Sequence, residues 1–206
     1  MRCDFCHNSE FVLLEKIQKL KRDLHAEKSF FEFLTRRVWL LDGVSICGGE
    51  PTIHRDLPWF CQQIHNLGFD IKLDTNGQNP DMLEHLIQYN LVDYIAMDIK
   101  HTWGKYSSIV WVQEDMAPYQ RSVDIIRSRA PEYEFRTTLI WGIHTSADIA
   151  GIGEIIRGAK HHYLQRYRQK NVLNPDFIGY SPTDAMLSEW RDKLQWTYVD
   201  SVEIRF

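Results

Sequence analysis

Two spacings of apolar residues alternate along this chain, and together they predict its elements. Short apolar or alternating runs that end at turn residues predict strands, and apolar residues three or four positions apart predict helices. Core strands are expected to start near residues 43, 69, 92, 133 and 162, and residues 199–206 are compatible with a terminal strand. Helices are expected over residues 56–67, 80–89, 118–129, 146–158 and 184–194, with one or two more within 9–37 that break near residues 23–25.

This order of elements, strand then helix with long crossovers, favours a parallel sheet in an α/β fold. Ser146 is the expected N-cap of its helix. Residues 101–116 are expected to form a loop, and its Tyr106, Trp111 and Val112 should either pack back on the domain or meet a partner. One domain is expected for the whole chain, with a core over about 1–168 and a C-terminal extension over about 169–206.

Composition and charge exclude two classes of function. The 206 residues carry a net charge of −4, so no broad nucleic-acid footprint is predicted. No apolar run approaches the roughly 18 residues of a membrane span. Four cysteines without a secretory context predict a reducing, cytoplasmic location and thiols that are free or metal-bound.

Polar residues cluster after the predicted strands, where parallel α/β barrels carry their active sites. The Gly48-Gly49-Glu50 turn follows the first strand, and its glycines would let the backbone approach a ligand; an ordinary turn is the alternative. Cys47 precedes this turn, and burial at the strand end is favoured over ligation.

Two further strands end in acidic residues, and another strand carries an arginine. Asp74, Thr75 and Asp98 offer hard oxygen ligands for a monovalent or divalent cation, although Asp74-Thr75-Asn76-Gly77 is also explained by a plain turn. Lys100 could pair with a carboxylate or a hydroxyl. Arg136 interrupts an apolar strand, so it should contact a ligand or form an ion pair with Glu134 or a neighbouring acid. Gln165 ends the fifth strand and could reach a nucleoside.

Cys3 and Cys6 form a C-x-x-C pair at the start of the chain. The pair alone suits a redox dithiol, half of a zinc site or an iron–sulfur ligand set. With His7-Asn8 after it and Gly48-Gly-Glu-Pro51 downstream, the chain resembles the radical S-adenosylmethionine (radical SAM) enzymes. Within them it is similar to the activating enzymes of glycyl radical enzymes, and most to those of anaerobic ribonucleoside-triphosphate reductase. The supporting segments are 41–44, 74–80, 94–100 and 133–138.

The resemblance implies a partial parallel (β/α)6 barrel and two cofactors, a [4Fe–4S] cluster and S-adenosylmethionine. Cys3 and Cys6 match the second and third cluster ligands of that family. S-adenosylmethionine contacts are implied for the remaining motif residues, which are Asn8, Gly48, Gly49, Glu50, Asp74, Thr75, Asn76, Asp98, Lys100 and Arg136. The implied reaction is reductive cleavage of S-adenosylmethionine, followed by hydrogen abstraction from a backbone glycine of a large partner enzyme. A flavodoxin or a ferredoxin-like protein is the implied electron donor.

One departure from the family lies at the start of the chain. The family's first strand and first cysteine would precede Met1, so we expect a truncated sequence whose strand at residues 43–47 is left as a sheet edge. A pyruvate formate-lyase type activase is an alternative within the class. A short protein that binds S-adenosylmethionine or a partner without activation chemistry is an alternative outside it.

Overall fold

A single parallel sheet organises the protein. The computed structural model describes residues 3–6, 9–11, 13–20, 27–110, 115–170 and 172–205. Within them six strands lie side by side in chain order, and every neighbouring pair is parallel. The strands are β1 Gly43–Ile46, β2 Asp70–Thr75, β3 Tyr94–Asp98, β4 Glu132–Leu139, β5 Ala159–Arg166 and β6 Val199–Arg205. The predicted α/β fold with a parallel sheet is confirmed.

Helices fill the crossovers between the strands. They are α1 Leu14–Leu20, α2 Glu27–Thr35, α3 Leu57–Asn66, α4 Pro80–Gln88, α5 Tyr106–Ile109, α6 Ala117–Arg129, α7 Ser146–Ile155 and α8 Asp184–Gln195. The side chain of Asn79 caps α4, and Pro80 is the first helical residue. Proline suits this position because it lacks a backbone N–H, and the first turn of a helix does not use that group. The break expected near residues 23–25 lies outside the described residues.

The two faces of the sheet differ because side chains alternate along each strand. One face buries Leu73, Ile95, Phe135 and Leu164 in the main apolar core. The opposite face carries polar side chains, and the strand register sets them beside one another, as with Asp98 and Arg136. The polar face is therefore the one on which a site can form.

Strand β1 lies at one edge of the described sheet, paired only with β2 among the described strands. Its residues alternate between exposed and half-buried. The expectation that this strand forms a sheet edge is confirmed for the residues that the structure describes.

Two local predictions were wrong. Residues 101–116 do not form a plain loop, because a 3₁₀ turn at Trp103–Lys105 and helix α5 lie within them. Tyr106 packs back fully buried, whereas Trp111 and Val112 lie outside the described residues. The N-cap of α7 is Thr145, whose hydroxyl and the Asp148 carboxylate form a capping box. Ser146 is the first helical residue.

The C-terminal part of the chain completes the same sheet. Strand β6 pairs with β5, and α8 buries Leu187, Trp190 and Leu194. The division into a core and an extension near residue 168 stays a prediction. Among the described helices, none is both long and apolar enough to cross a membrane.

Candidate active site

Acidic and basic side chains form a paired row at the ends of three adjacent strands. Arg136 on β4 donates from Nε to Asp98 Oδ1 at 2.9 Å and from Nη1 to Asp74 Oδ2 at 3.1 Å. Lys72 Nζ lies 2.6 Å from Asp74 Oδ1, and Lys100 Nζ lies 3.4 Å from Asp98 Oδ2. Each carboxylate therefore has two cationic partners.

Electrostatics follow from this pairing. Burial acts to raise the pKa of Asp98, but the charges of Lys100 and Arg136 outweigh it and leave that pKa lowered. Burial likewise acts to lower the pKa of Arg136, and Asp98 and Asp74 raise it instead. Asp98 and Arg136 are therefore both ionised at neutral pH. The ion pair expected for Arg136 forms mainly with Asp98 and Asp74, because Glu134 lies 4.0 Å away.

Glu50 fixes the glycine-rich turn to the end of β2. Its Oε1 accepts from Thr52 N, Thr52 Oγ1 and Thr75 Oγ1 at 3.2, 2.6 and 2.8 Å, and its Oε2 accepts from Asn76 N at 2.7 Å. The carboxylate is buried. Its hydrogen bonds hold the turn after β1 against the Thr75-Asn76 turn, so Glu50 fixes the position of one turn relative to the other.

The glycines of this turn permit a close approach. Gly48 has a φ of +139°, a conformation that L side chains rarely adopt. A Cβ on Gly49 would lie 3.0 Å from the carbonyl oxygen of Phe11. The segment that follows the cysteines thus packs directly on the turn.

The cysteine loop, residues 3–6, is held by contacts with distant parts of the chain. Cys3 forms an antiparallel bridge with Val110. Asn174 N donates to Asp4 O at 3.0 Å, and Asn174 Nδ2 donates to Asp4 Oδ1 at 2.9 Å. Phe5 packs against the rings of Tyr167 and Phe177. These contacts turn the two thiols inward.

The cysteine loop, the glycine-rich turn and the paired row apart from Lys72 line one cleft of about 260 Å³. Its lining includes Cys3, Cys6, Gly48, Gly49, Glu50, Asp74, Thr75, Asn76, Asp98, Lys100, Arg136 and Gln165. Every predicted site residue that the structure describes is therefore in this cleft. Asn8 lies outside the described residues. Cys47 also lines the cleft and is exposed, so its expected burial was wrong. It follows β1, which among the described strands is paired on one side only.

A pair of histidines under the ends of β3 and β4 was not predicted. Ile140 N donates to His144 Nδ1 at 3.1 Å, so the ring proton is on Nε2, which donates to the carbonyl of Lys100 at 3.0 Å. His101 stacks on His144 with ring centroids 4.9 Å apart. Burial lowers the pKa of His144 to about 4, and the hydrogen bond that Nδ1 accepts requires the neutral ring.

A second unpredicted group lies on the polar face away from the cysteines. Glu134 accepts from Tyr94 Oη at 2.7 Å and from Arg205 Nη1 at 2.9 Å, and its side chain is 1% exposed. Glu134 and Arg136 are two residues apart on one strand, so alternation alone could have placed both on this face.

The donor groups of the cleft suit the predicted cofactors in kind. Two thiols beside each other can supply thiolate ligands to iron. A hydrogen bond with Cys6 and burial raise the pKa of Cys3, whereas the charge of Lys100 acts to lower it. A cation between Asp74 and Asp98 stays a prediction; Arg136 bridges those carboxylates, and no group of three or more metal-binding side chains was found in the described part of the chain.

Comparison with known proteins places the chain in a family. The sequence profile described as "Radical SAM superfamily" matches residues 1–150. A protein of Methanocaldococcus jannaschii, named as a glycyl-radical enzyme activating enzyme, is 30% identical over 213 residues, which cover 100% of this chain and 84% of that protein.

Solved structures share the fold. A domain of a pyruvate-formate lyase-activating enzyme from Bacteroides vulgatus has a TM-score of 0.62 at 17% identity, over 80% of this chain and 99% of that domain. SuiB of Streptococcus suis has a TM-score of 0.67 at 14% identity, over 100% of this chain and 46% of SuiB. The profile and the sequence relative, together with a cleft in which the predicted motif residues meet, show that this chain belongs to the radical SAM superfamily.

Proposed function

We propose that the protein is an activating enzyme that generates a glycyl radical on a large partner enzyme, and that the partner is an anaerobic ribonucleoside-triphosphate reductase. The observation that carries the proposal is the meeting of Cys3 and Cys6 with the ends of β1–β5 in one cleft. The family uses a [4Fe–4S] cluster and S-adenosylmethionine, which when bound supply the one-electron chemistry that removes a hydrogen atom from carbon.

Cys3 and Cys6 are the residues that would hold the cluster. Their loop is closed from outside by the Phe5–Tyr167–Phe177 aromatic group. Such apolar cover limits water at the site and strengthens electrostatic interactions within it.

Arg136 is the residue best placed to bind the carboxylate of S-adenosylmethionine. Its Nε and Nη1 are used by Asp98 and Asp74, and Nη2 has no hydrogen-bond partner in the part of the chain that the structure describes. A guanidinium presents its donors in a fixed fork, so the two aspartates orient the remaining N–H groups. The main chain of Gly48 and Gly49 lies across the cleft and can approach the amino end of the same ligand.

The first test asks whether the protein holds a working cluster. Iron and sulfide are reconstituted anaerobically, and the reduced electron paramagnetic resonance spectrum is recorded with and without S-adenosylmethionine. We expect a cluster signal that changes on addition of S-adenosylmethionine. Cys6→Ala should abolish it, whereas Cys61→Ala should keep it, because Cys61 is buried in the main core away from the cleft.

The second test separates the partners. The reduced protein and S-adenosylmethionine are mixed with an anaerobic ribonucleotide reductase or with a pyruvate formate-lyase, and the glycyl radical signal is measured. A signal on the reductase alone supports the proposal, and one on the lyase alone assigns the alternative activase. Binding of S-adenosylmethionine without cleavage would instead indicate a binding module.

Supply of the electron and location complete the proposal. We assign a flavodoxin or a ferredoxin-like protein as the donor, because the chemistry needs a low-potential one-electron carrier. All four cysteines are free, which suits the reducing cytoplasm.

A further inference from the structure

Lys100 occupies a position that a contact with S-adenosylmethionine does not by itself explain. Lys100 lines the cleft together with Cys3 and Cys6, and its side chain is 18% exposed. Asp98 is its ion-pair partner at 3.4 Å, but that carboxylate already has a closer one in Arg136 at 2.9 Å. Lys100 is thus the more weakly paired of the two cations of Asp98, and it shares the cleft with the cysteine loop.

The thiols and the ammonium act on one another. Burial acts to lower the pKa of Lys100, and Asp98, Cys3, Tyr106 and Cys6 together raise it instead. Lys100 and the two cysteines therefore line the same cleft, close enough for their charges to interact.

The backbone around Lys100 is held on both sides. Ile99 N donates to Arg136 O at 2.8 Å, and Thr137 Oγ1 donates to Ile99 O at 2.8 Å. His144 Nε2 donates to the carbonyl of Lys100 itself. Pairing with β4 thus continues past the end of β3 and fixes the main chain from which the Lys100 side chain extends into the cleft.

We propose that Lys100 raises the reduction potential of the iron–sulfur cluster held by Cys3 and Cys6, independently of any contact with S-adenosylmethionine. Reduction adds one electron, supplied by the low-potential carrier, and moves no proton. A fixed positive charge near the ligands favours the more negative, reduced state, because charge and hydrogen bonds around the sulfur atoms set the potential. The inference rests on the proposed cluster.

The chain contains a matched control. Lys72 and Asp74 are two residues apart on β2, and Asp98, the last residue of β3, is likewise two residues from Lys100; the members of each set form an ion pair. Lys72 does not line the cleft. Removing either ammonium takes one positive charge from the row, but only Lys100 lies beside the thiols.

The test is an anaerobic redox titration of the reconstituted protein without S-adenosylmethionine, followed by electron paramagnetic resonance. Lys100→Met and Lys100→Gln should shift the ratio of oxidised to reduced cluster at least tenfold toward the oxidised form, which is about 59 mV for one electron. Lys100→Arg and Lys72→Met should titrate within threefold of the unmodified protein. The two neutral variants differ in polarity, so if one of them fails to fold, the other still tests the inference.

Three outcomes overturn the inference, and they are distinguishable. Unchanged titration of both neutral variants limits Lys100 to ligand contacts and leaves the proposed function intact if the signal still responds to S-adenosylmethionine. An equal shift in Lys72→Met shows a general charge effect. Absence of any cluster in the unmodified protein overturns the proposed function, and this inference with it.

Discussion

The paired row and the cysteine loop meet in one cleft, but different forces hold them there. Asp98 and Arg136 face each other because their strands are in register, and a sheet of six parallel strands fixes that register. The cysteine loop has no strand of its own. Its position depends on one bridge to Val110, two hydrogen bonds to Asn174 and the packing of Phe5. Changes in the row should therefore affect the whole fold, whereas changes around the loop should affect local order alone.

Loss of Arg136 should have the largest effect. Arg136→Met leaves Asp74 and Asp98 half-buried with one lysine each, so we expect the free energy of unfolding to fall by about 3 kcal/mol. Affinity for S-adenosylmethionine should fall roughly 10- to 100-fold, the range for a lost hydrogen bond to a charged group. Chemical denaturation and anaerobic calorimetry measure the two changes.

Arg191→Met serves as the control, because Arg191 is exposed on α8 and pairs with the adjacent Asp192. Its stability should change by less than about 0.5 kcal/mol. If Arg136→Met unfolds at the same denaturant concentration as the unmodified protein, the row is not part of the fold's framework and the contrast with the loop fails.

The row was predictable and the loop's position was not, for a physical reason. Alternation along a strand predicts which residues share a face, so Asp74, Asp98 and Arg136 followed from the sequence. The hydrogen bonds of Glu50 could not be predicted in the same way, because they depend on how two turns approach each other. Asn174 and Asp4 are 170 positions apart and lie on irregular segments, so no period connects them.

Buried histidines make the ends of β3 and β4 sensitive to acid. Burial lowers the pKa of His144 to about 4 and that of His162 to about 3. Thr137 Oγ1 donates to Ile99 O and lies 3.0 Å from His162 Nε2, so that nitrogen donates to the hydroxyl. The ring is neutral because burial lowers its pKa.

Both folded-state pKa values lie below the ordinary value of about 6.5, so the unfolded chain binds more protons below that pH. Stability is complete above about pH 6.5 and is lost as the pH falls toward the folded-state values. Between pH 7 and pH 5 each ring should cost about 2 kcal/mol. Urea denaturation across this range measures the loss.

His162→Gln should make the dependence on pH less steep, because the amide can still donate to Thr137 and does not titrate. His54 is exposed and supplies the control, since His54→Gln should leave the dependence unchanged. If stability depends on pH equally steeply in His162→Gln and in the unmodified protein, the neutral ring of His162 does not stabilise the strand ends.

Asn174→Ala should have the smallest effect and should act on the cysteine loop alone. The substitution removes the hydrogen bond to Asp4 Oδ1 and the exposed one that Asn174 Oδ1 accepts from Asp176 N, but it keeps the main-chain bond from Asn174 N. The loss of about 1 kcal/mol should let the loop open about fivefold more often, while global unfolding shifts little. The rate of iodoacetamide labelling at the half-buried Cys6 reports this opening.

The control for this change is Asn66→Ala, which removes an exposed hydrogen bond to Gln62 on α3. It should leave the labelling rate unaltered. A fivefold faster rate without a change in the denaturation midpoint would show that the loop opens independently of the sheet. If instead Asn174→Ala lowers the midpoint as much as it speeds labelling, the loop unfolds only with the sheet, and the cysteines are held by the same cooperative structure as the paired row.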